Sequence, residues 1–319
     1  MNSILQSLVH NKLLKQYFID CTGHEKQSCH VTRAGNGICL ACETDDLFQE
    51  FFSGKKEPII PHKYMFAVWK FANYLAGYQQ QDAHEFMICA LNGLHQHLGG
   101  NASSECNCII HKIFSGTLKS EVTCDNCHSS SISFDPFLDI SLQIPEVEET
   151  KKGAKKKRKV EETQKQESSS EEEYSLLSCL SNFTNKETLE SFYCSSCKKY
   201  HNASKQLTIE KLPSVICFHF KRFKQNIANS SKITTYISFP ETLDVSPFLS
   251  PDTSYPSKIK PYHLFAVVNH KGQIEKGHYT CFVRKETSSK WFKCDDSNIL
   301  HATKDQVLQS EAYMLFYSA

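Results

Sequence analysis

The apolar residues in the first third of the chain recur at helical spacing. Residues 2–18 place leucine, isoleucine and aromatic side chains three or four positions apart. The same spacing returns between Met65 and Leu75, and again from about Gly77 to Leu98, where two glycines follow. We therefore predict three helices in this part of the chain, each with an apolar face turned toward a core.

From about residue 113 onward the pattern changes to short segments rich in β-branched and aromatic residues, with turn-forming residues between them. Segments of this kind are typical of strands. The predicted strands are 137–144, 206–210, 215–220, 262–269, 278–284, 290–294 and 312–317. Helices followed by a run of strands predict an α+β fold with a mostly antiparallel sheet.

Residues 146–173 interrupt this pattern, because they contain almost no large apolar side chain. A segment that cannot bury apolar surface cannot offset the entropy lost on ordering, so we predict a disordered insertion. Its basic core, residues 155–160, matches a nuclear-import signal that importin would bind. A solvated charge run is the alternative. Nucleic-acid binding is disfavoured by the acidic residues that follow and by the lack of interleaved aromatics.

The overall charge of the chain excludes a strong electrostatic field. Its 319 residues include 36 Lys and Arg against 35 Asp and Glu, a formal net charge of +1, so no global attraction to nucleic acid or to an anionic membrane is expected. No apolar run approaches the roughly 18 to 20 residues of a membrane span, and the first residues lack a signal-peptide layout. We expect a protein that remains inside the cell and has no membrane partner.

The chain has 15 cysteines, an odd number that cannot pair completely, and the reducing interior of the cell disfavours disulfides. Three C-x-x-C pairs indicate zinc instead. Two pairs lie at turns beside predicted strands and form the first predicted site, Cys124, Cys127, Cys194 and Cys197. A second site is most plausible at His24, Cys29, Cys39 and Cys42, with Cys21 and His30 as other candidate ligands. We therefore expect one or two structural Zn²⁺ ions. The close spacing of Cys106 and Cys108 permits no assignment.

Closed zinc sites do not catalyse, so the candidate chemistry lies elsewhere. His278 follows a glycine at the start of a predicted strand, and Asp295 and Asp296 lie at the end of a later one. Two adjacent antiparallel strands would bring the histidine to a carboxylate, which gives a general base with an orienting acid as cysteine- and serine-nucleophile enzymes require. On spacing alone, a structural contact is the commoner explanation of such a pair.

Seven segments, taken together and in order, resemble the boxes of the ubiquitin-specific protease family of cysteine deubiquitinases: QQDAHEF (80–86), LPSVICFHFKRF (212–223), KITTYISFP (232–240), YHLFAVVNHKG (262–272), KGHYTCFVR (276–284), WFKCDDSNI (291–299) and AYMLFY (312–317). CNCII, VTCDNC, DPFLDISL and the Cys/His cluster at 24–42 resemble the branch that serves the SAGA transcriptional coactivator.

This resemblance implies one papain-like, hand-shaped domain over residues 1–319. Its expected parts are a helical thumb (1–100), zinc-ribbon fingers and palm (101–145 and 174–240) and a β palm with the His and Asp boxes (241–319). It implies hydrolysis of the isopeptide bond at the ubiquitin C-terminus, with His278 as general base and Asp295 as its orienter, a role that Asp296 can share. Gln80, Gln81, Asp82 and Glu85 would lie beside the ubiquitin tail.

The same resemblance implies a nuclear protein whose substrates are ubiquitinated proteins such as histones and whose partners are subunits of a SAGA-type deubiquitinase module. The sequence departs from the family pattern at one point. The family nucleophile lies in a G-N-T-C box that leads into the first thumb helix, whereas this sequence starts MNSILQ, two residues after the expected Cys. Cys21 and Cys29 lie beyond that helix, and Cys281 should face away from His278. The sequence as given is therefore expected to be inactive.

Two explanations for this departure are open: a start at an internal methionine, which we favour, or a pseudo-deubiquitinase that binds ubiquitin and adaptors without hydrolysis. A third hypothesis is a zinc-ribbon protein that binds nucleic acid. The balanced charge of the chain argues against it, and it does not explain the His278 and Asp295 boxes.

Overall fold

The computed structural model describes residues 1–20, 23–24, 26–27, 29, 31, 37–77, 79–101, 106–145, 174–225, 230–252, 259–273 and 276–319. Within these residues the predicted α+β fold is confirmed, with helices first and an antiparallel sheet after them. The predicted insertion at 146–173, with its basic core at 155–160, lies outside the described residues, as do Cys21 and His30.

Among the described residues, the first part of the chain contains six α-helices: α1 (Asn2–Val9), α2 (Lys12–Lys15), α3 (Leu40–Phe51), α4 (His62–Phe71), α5 (Ala83–His97) and α6 (Ile109–Phe114). A π-helical turn, Gln16–Asp20, follows α2, and a 3₁₀ turn, Asn73–Leu75, follows α4. Two more helices come later, α7 (Leu176–Thr184) and α8 (Lys304–Leu308). None of the helices in the described ranges is long and apolar enough to cross a membrane.

Two predicted helix boundaries were wrong, and side-chain caps explain both. The predicted helix 2–18 breaks after Val9, where the Asn11 side chain accepts a hydrogen bond from the backbone N–H of Leu14 at 2.9 Å and begins α2. The helix predicted from Gly77 begins at Ala83 instead, because the Asp82 side chain caps its first turn. The sequence analysis also missed α3, because acidic and hydroxyl side chains at 43–46 separate its apolar residues.

A small sheet consists of β1 (Gly116–Cys124), β2 (Ser130–Phe137), β4 (Glu187–Cys194) and β5 (Lys199–Lys211). Its strand order is β2-β1-β5-β4, and all its pairs are antiparallel. This sheet brings the two C-x-x-C turns, 124–127 and 194–197, to one end. A separate two-stranded ribbon pairs β7 (Phe223–Gln225) with β8 (Ser230–Lys232).

A large sheet contains the remaining strands: β3 (Ile140–Leu142), β6 (Val215–Phe220), β9 (Thr242–Leu243), β10 (Tyr262–Gly272), β11 (Gly277–Arg284), β12 (Trp291–Asp295), β13 (Asn298–Ala302) and β14 (Ala312–Ser318). Its strand order is β13-β12-β11-β10-β14-β6-β3, and β9 adds to β10. All neighbours are antiparallel except β3 and β6. The predicted strand 215–220 coincides with β6.

Two apolar cores lie on opposite faces of the large sheet. The first packs α1 and the other early helices on one face, and the second lies on the other face with α7. β10 contributes to both, with Ala266 and Val268 in the first core and Leu264 and Val267 in the second. Because side chains alternate along a strand, one apolar strand can fill both layers.

Candidate functional site

The predicted pair of His278 and Asp295 lies in contact. β11 and β12 are adjacent antiparallel strands, and they place His278 Nε2 2.7 Å from Asp295 Oδ1. The imidazole and the carboxylate are each partly exposed, at 50% and 38%. The hydrogen bond from His278 holds the pKa of Asp295 below its ordinary value. With Nε2–H assigned as the donor to this carboxylate, Nδ1 is left to accept a proton.

Asp296 occupies the turn between β12 and β13, with a left-handed φ of +50°. Its side chain joins the same cluster, since one ligand atom each of His278, Asp295 and Asp296 lie within 4.8 Å of one another. Its backbone carbonyl accepts a hydrogen bond from Asn2 Nδ2 at 3.1 Å. This bond fixes the first turn of α1 beside the dyad.

Cys281 lies on the side of β11 that packs under α1. It is fully buried and pairs across the strands with Cys294. Hydrogen bonding to Cys294, together with burial, raises the pKa of the Cys281 thiol, so the thiol stays protonated and is a poor nucleophile. Within the described part of the chain, no cysteine sulfur joins the cluster of His278, Asp295 and Asp296.

The residues predicted to bind substrate lie at the start of α5, beside β11. Gln80 Oε1 accepts a hydrogen bond from the backbone N–H of Gly277 at 2.6 Å. The Asp82 carboxylate bonds to the first turn of α5 and to two tyrosine hydroxyls. The side chains of Gln81 and Glu85 make no hydrogen bond to any residue that the structure describes. All four line a cavity of about 430 Å³ whose other walls include His219, Lys221, Phe223 and His270.

The first predicted zinc ligand set is assembled at the end of the small sheet. Cys124, Cys127, Cys194 and Cys197 place one sulfur each within 4.8 Å of the others, and the Cys127 and Cys194 sulfurs are 3.6 Å apart. The backbone N–H of Cys197 donates to the Cys194 sulfur and lowers its pKa to about 6. This favours the thiolate, which is the form that binds zinc.

The second predicted ligand set is also assembled. His24 Nε2 lies 3.2 Å from the Cys42 sulfur and 3.7 Å from the Cys39 sulfur, and Cys29 completes the group. All three cysteines are buried. One imidazole and three sulfurs form a donor set that suits tetrahedral zinc.

A third cluster was missed by the sequence analysis. His95 Nδ1 lies 3.2 Å from the Cys108 sulfur and 3.9 Å from the Cys106 sulfur, and His111 stacks on His95 with ring centroids 4.3 Å apart. These four residues form a further candidate ligand set. The described residues therefore offer one candidate ligand set more than the two that the sequence analysis named. The missed signal was Cys108 with His111 three residues later, together with a histidine near the end of α5.

The whole chain matches a known family. A family model described as ubiquitin carboxyl-terminal hydrolase covers residues 1–317. The chain belongs to the ubiquitin carboxyl-terminal hydrolase family. This family consists of cysteine deubiquitinases, so the resemblance seen in the sequence boxes is confirmed.

Relatives within this family show which branch the chain is similar to. It is 43% identical over 339 residues to ubiquitin carboxyl-terminal hydrolase 22 of Homo sapiens, covering 99% of this chain and 63% of that protein. It is 42% identical over 344 residues to ubiquitin carboxyl-terminal hydrolase 27 of Homo sapiens, covering 99% and 75%. The chain therefore spans less than two thirds of the length of the first of these hydrolases.

A solved structure shares the fold. The SAGA Ubp8/Sgf11/Sus1/Sgf73 DUB module bound to ubiquitin aldehyde contains a chain with a TM-score of 0.77 and 30% identity, and the match covers 100% of this chain and 66% of that one. A second structure holds a substituted Ubp8 in the same module bound to monoubiquitin, with a TM-score of 0.76 and 31% identity. The mixed helical and antiparallel fold is therefore that of a ubiquitin-specific deubiquitinase of the SAGA type.

Proposed function

We propose that this chain is the ubiquitin-binding hydrolase domain of a nuclear, thiol-dependent deubiquitinase. The observation that carries the proposal is the 2.7 Å hydrogen bond between His278 and Asp295, formed by the boxes at which the resemblance places the base and its orienter. Asp296 lies within the same cluster and is proposed to share the orienting role. Gln81 and Glu85, whose side chains are available in the cavity beside β11, are proposed to contact the ubiquitin tail.

The chemistry follows from the open Nδ1 of His278. With a cysteine thiol presented to it, Nδ1 accepts the thiol proton, and the thiolate attacks the carbonyl carbon of the ubiquitin C-terminal glycine. The imidazolium then donates its proton to the leaving lysine amine, and a thioester remains. Water hydrolyses the thioester after giving a proton to the same nitrogen. Asp295 fixes the ring and stabilises its positive charge through both steps.

The described cysteines do not supply this thiol, so we propose that the chain as given binds ubiquitin without hydrolysing its conjugates. The test uses ubiquitin that carries a C-terminal electrophile. The chain should not be labelled. A version with Gly-Asn-Thr-Cys and one aromatic residue joined before Met1, which places the Cys two residues before Met1, should be labelled, and His278→Ala in that version should abolish labelling. Covalent labelling of the chain as given would show that the nucleophile has been misplaced.

A second candidate function is a ubiquitin- and adaptor-binding pseudo-deubiquitinase. It is favoured by the same observation, that no described sulfur reaches the dyad. The two functions separate in the nucleotide sequence just before the Met1 codon. The hydrolase predicts that these codons read through to a Gly-Asn-Thr-Cys-type box, whereas the pseudo-deubiquitinase predicts that they do not. Ubiquitin binding is measured alongside by titration, so a failure of chemistry and a failure of recognition are distinguished.

We further propose that the substrates include ubiquitinated histones and that the partners are subunits of a SAGA-type module. The support is the likeness to the Ubp8 chain, which is seen with Sgf11, Sus1 and Sgf73. Nuclear import through residues 155–160 is proposed from the basic sequence alone. Deleting these six residues should move the protein out of the nucleus in fluorescence microscopy, and unchanged nuclear accumulation would contradict their role.

A further inference from the structure

The carboxylate of Asp82 forms four hydrogen bonds, two with each oxygen. Oδ1 accepts from the backbone N–H groups of His84 at 2.7 Å and Glu85 at 3.1 Å, which caps α5. Oδ2 accepts from the hydroxyls of Tyr313 at 2.5 Å and Tyr279 at 3.1 Å. Since an ionised carboxylate has about four acceptor positions, those of Asp82 are filled within the protein. A ubiquitin side chain could bind Asp82 only by displacing one of these bonds.

One tyrosine lies on the strand that carries His278, and the other lies on β14, which β10 separates from that strand. Tyr279 directly follows His278 in β11, so its side chain leaves the opposite face of the strand. Tyr313 lies at the start of β14, which pairs with β10. Burial, and secondly the charge of Asp82, raises the pKa of both hydroxyls, so both remain protonated donors. Asp82 thus holds β11 from the side away from the imidazole.

The residue on the other side of His278 is also fixed. Gln80 Oε1 accepts the backbone N–H of Gly277, and the buried imidazole of His270 lies where a side chain on Gly277 would be. A Cβ at residue 277 would come 1.8 Å from His270 Nε2. The backbone before and after His278 is therefore held by residues from the start of α5 and from β10.

We propose that Asp82 is a positioning residue for the His278–Asp295 pair, acting through Tyr279 and Tyr313, and that Gln80 assists it through Gly277. The α5 N-terminus thereby sets where the imidazole lies on the Asp295 carboxylate. The inference rests on the proposed function for the catalytic role of His278. Its geometry can be tested without substrate and without a nucleophile.

Two kinds of variant separate this role from the helix cap. Tyr279→Phe with Tyr313→Phe removes both hydroxyls and leaves the cap of α5 untouched. Asp82→Ser keeps a capping hydroxyl but removes the oxygen that accepts from the tyrosines. The matched control is Tyr317→Phe, because Tyr317 is also buried in β14, and its hydroxyl donates to the Pro240 carbonyl at 2.6 Å in the other core.

The readout is NMR of the chain labelled in histidine and aspartate, with His278→Ala and Asp295→Asn used to assign the signals. The unsubstituted chain should show one His278 tautomer, protonated at Nε2, and an Asp295 carboxyl that titrates below its ordinary range. In both clamp variants, the double tyrosine variant and Asp82→Ser, the tautomers should mix, and the Asp295 titration should rise toward about 3.9. Tyr317→Phe should change neither signal.

Three outcomes would overturn the proposal. The first is an unchanged tautomer and titration in both clamp variants while circular dichroism shows them folded. The second is the same change in Tyr317→Phe, which would indicate general loosening. The third is a loss of about tenfold or more in ubiquitin affinity for Asp82→Ser, equivalent to about 1.4 kcal/mol, where positioning predicts a change within about twofold. If the unsubstituted chain fails to bind ubiquitin, the proposed function fails, whereas the NMR test of the pair stands.

Discussion

Arg222 is the largest fully buried side chain among the described residues, and replacing it should cost much of the stability of the protein. Its Nε donates to the Ala312 carbonyl at 2.7 Å, and its Nη1 donates to the carbonyls of Ile233 and Thr235 at 3.0 and 2.8 Å. The guanidinium therefore joins the end of β6 to the segment before β9 and to the start of β14. Arg222→Met removes these bonds and leaves three carbonyls without this donor.

The magnitude follows from these contacts. Hydrogen bonds from a charged donor contribute about 1.5–3 kcal/mol each, which gives roughly 5–9 kcal/mol for three. The substitution also removes the desolvation penalty of the buried charge, which is several kcal/mol. We therefore expect the free energy of unfolding to fall by about 3–5 kcal/mol. That is a large share of the about 5–15 kcal/mol by which proteins are stable.

Urea unfolding followed by tryptophan fluorescence measures this loss. With a slope of about 3 kcal/mol per molar urea, the midpoint should fall by about 1 M or more. The control is Arg284→Met, because Arg284 is 27% exposed and pairs with Glu241 at 3.3 Å, a contact expected to contribute no more than about 1 kcal/mol. If Arg222→Met and Arg284→Met lower the midpoint equally, the three carbonyls are not the source of the stabilisation.

Three further predictions follow from single contacts. Gly277→Ala should destabilise the protein by about 1–3 kcal/mol, because the added Cβ clashes with His270. Adding His270→Ala should recover part of the lost stability in the same urea assay, and no recovery would contradict the clash. Burial would raise the pKa of Asp139, but the hydrogen bond from His84 outweighs it, and the pKa lies below its ordinary value. The contribution of Asp139 to protein stability is therefore present above about pH 4 and lost as the pH falls through the lowered pKa. The Asp139→Asn variant should lose less stability on acidification than the unsubstituted protein, and an equal loss would argue against the pairing. Cys194→Ser should lower bound zinc by one equivalent in elemental analysis, and unchanged zinc content would rule out its cluster.

The parts of the fold and of the site that could be predicted have a recognisable pattern over a short stretch of sequence. The strand 215–220 was recognised because its apolar and aromatic residues are contiguous. The His278–Asp295 contact was foreseen because two short strands separated by a turn must lie side by side. The C-x-x-C pairs carry their own spacing. His278 and Asp295 are 17 residues apart, whereas the four-cysteine set joins two such motifs whose Cys127 and Cys194 are 67 residues apart.

Two parts of the site were missed, each for a different reason. The third cluster needs His95 from one helix beside Cys106 and Cys108 from the following segment, so no single spacing marks it. The role of Asp82 as an anchor for β11 and β14 depends on hydroxyls 197 and 231 residues away. The sequence analysis placed Asp82 only beside the ubiquitin tail, by resemblance, and the tertiary fold shows its cap and its tyrosine contacts.

The double-sided packing of β10 has a consequence for how the protein unfolds. Since Ala266 and Val268 belong to one core while Leu264 and Val267 belong to the other, neither core can open without exposing the strand that completes its neighbour. The helical layer and the opposite layer should therefore melt as one cooperative unit. Among the strands of the small sheet, only β5 contributes a buried residue, Ile209, to either core, so we expect the end of this sheet with the cysteine cluster to open at lower free energy.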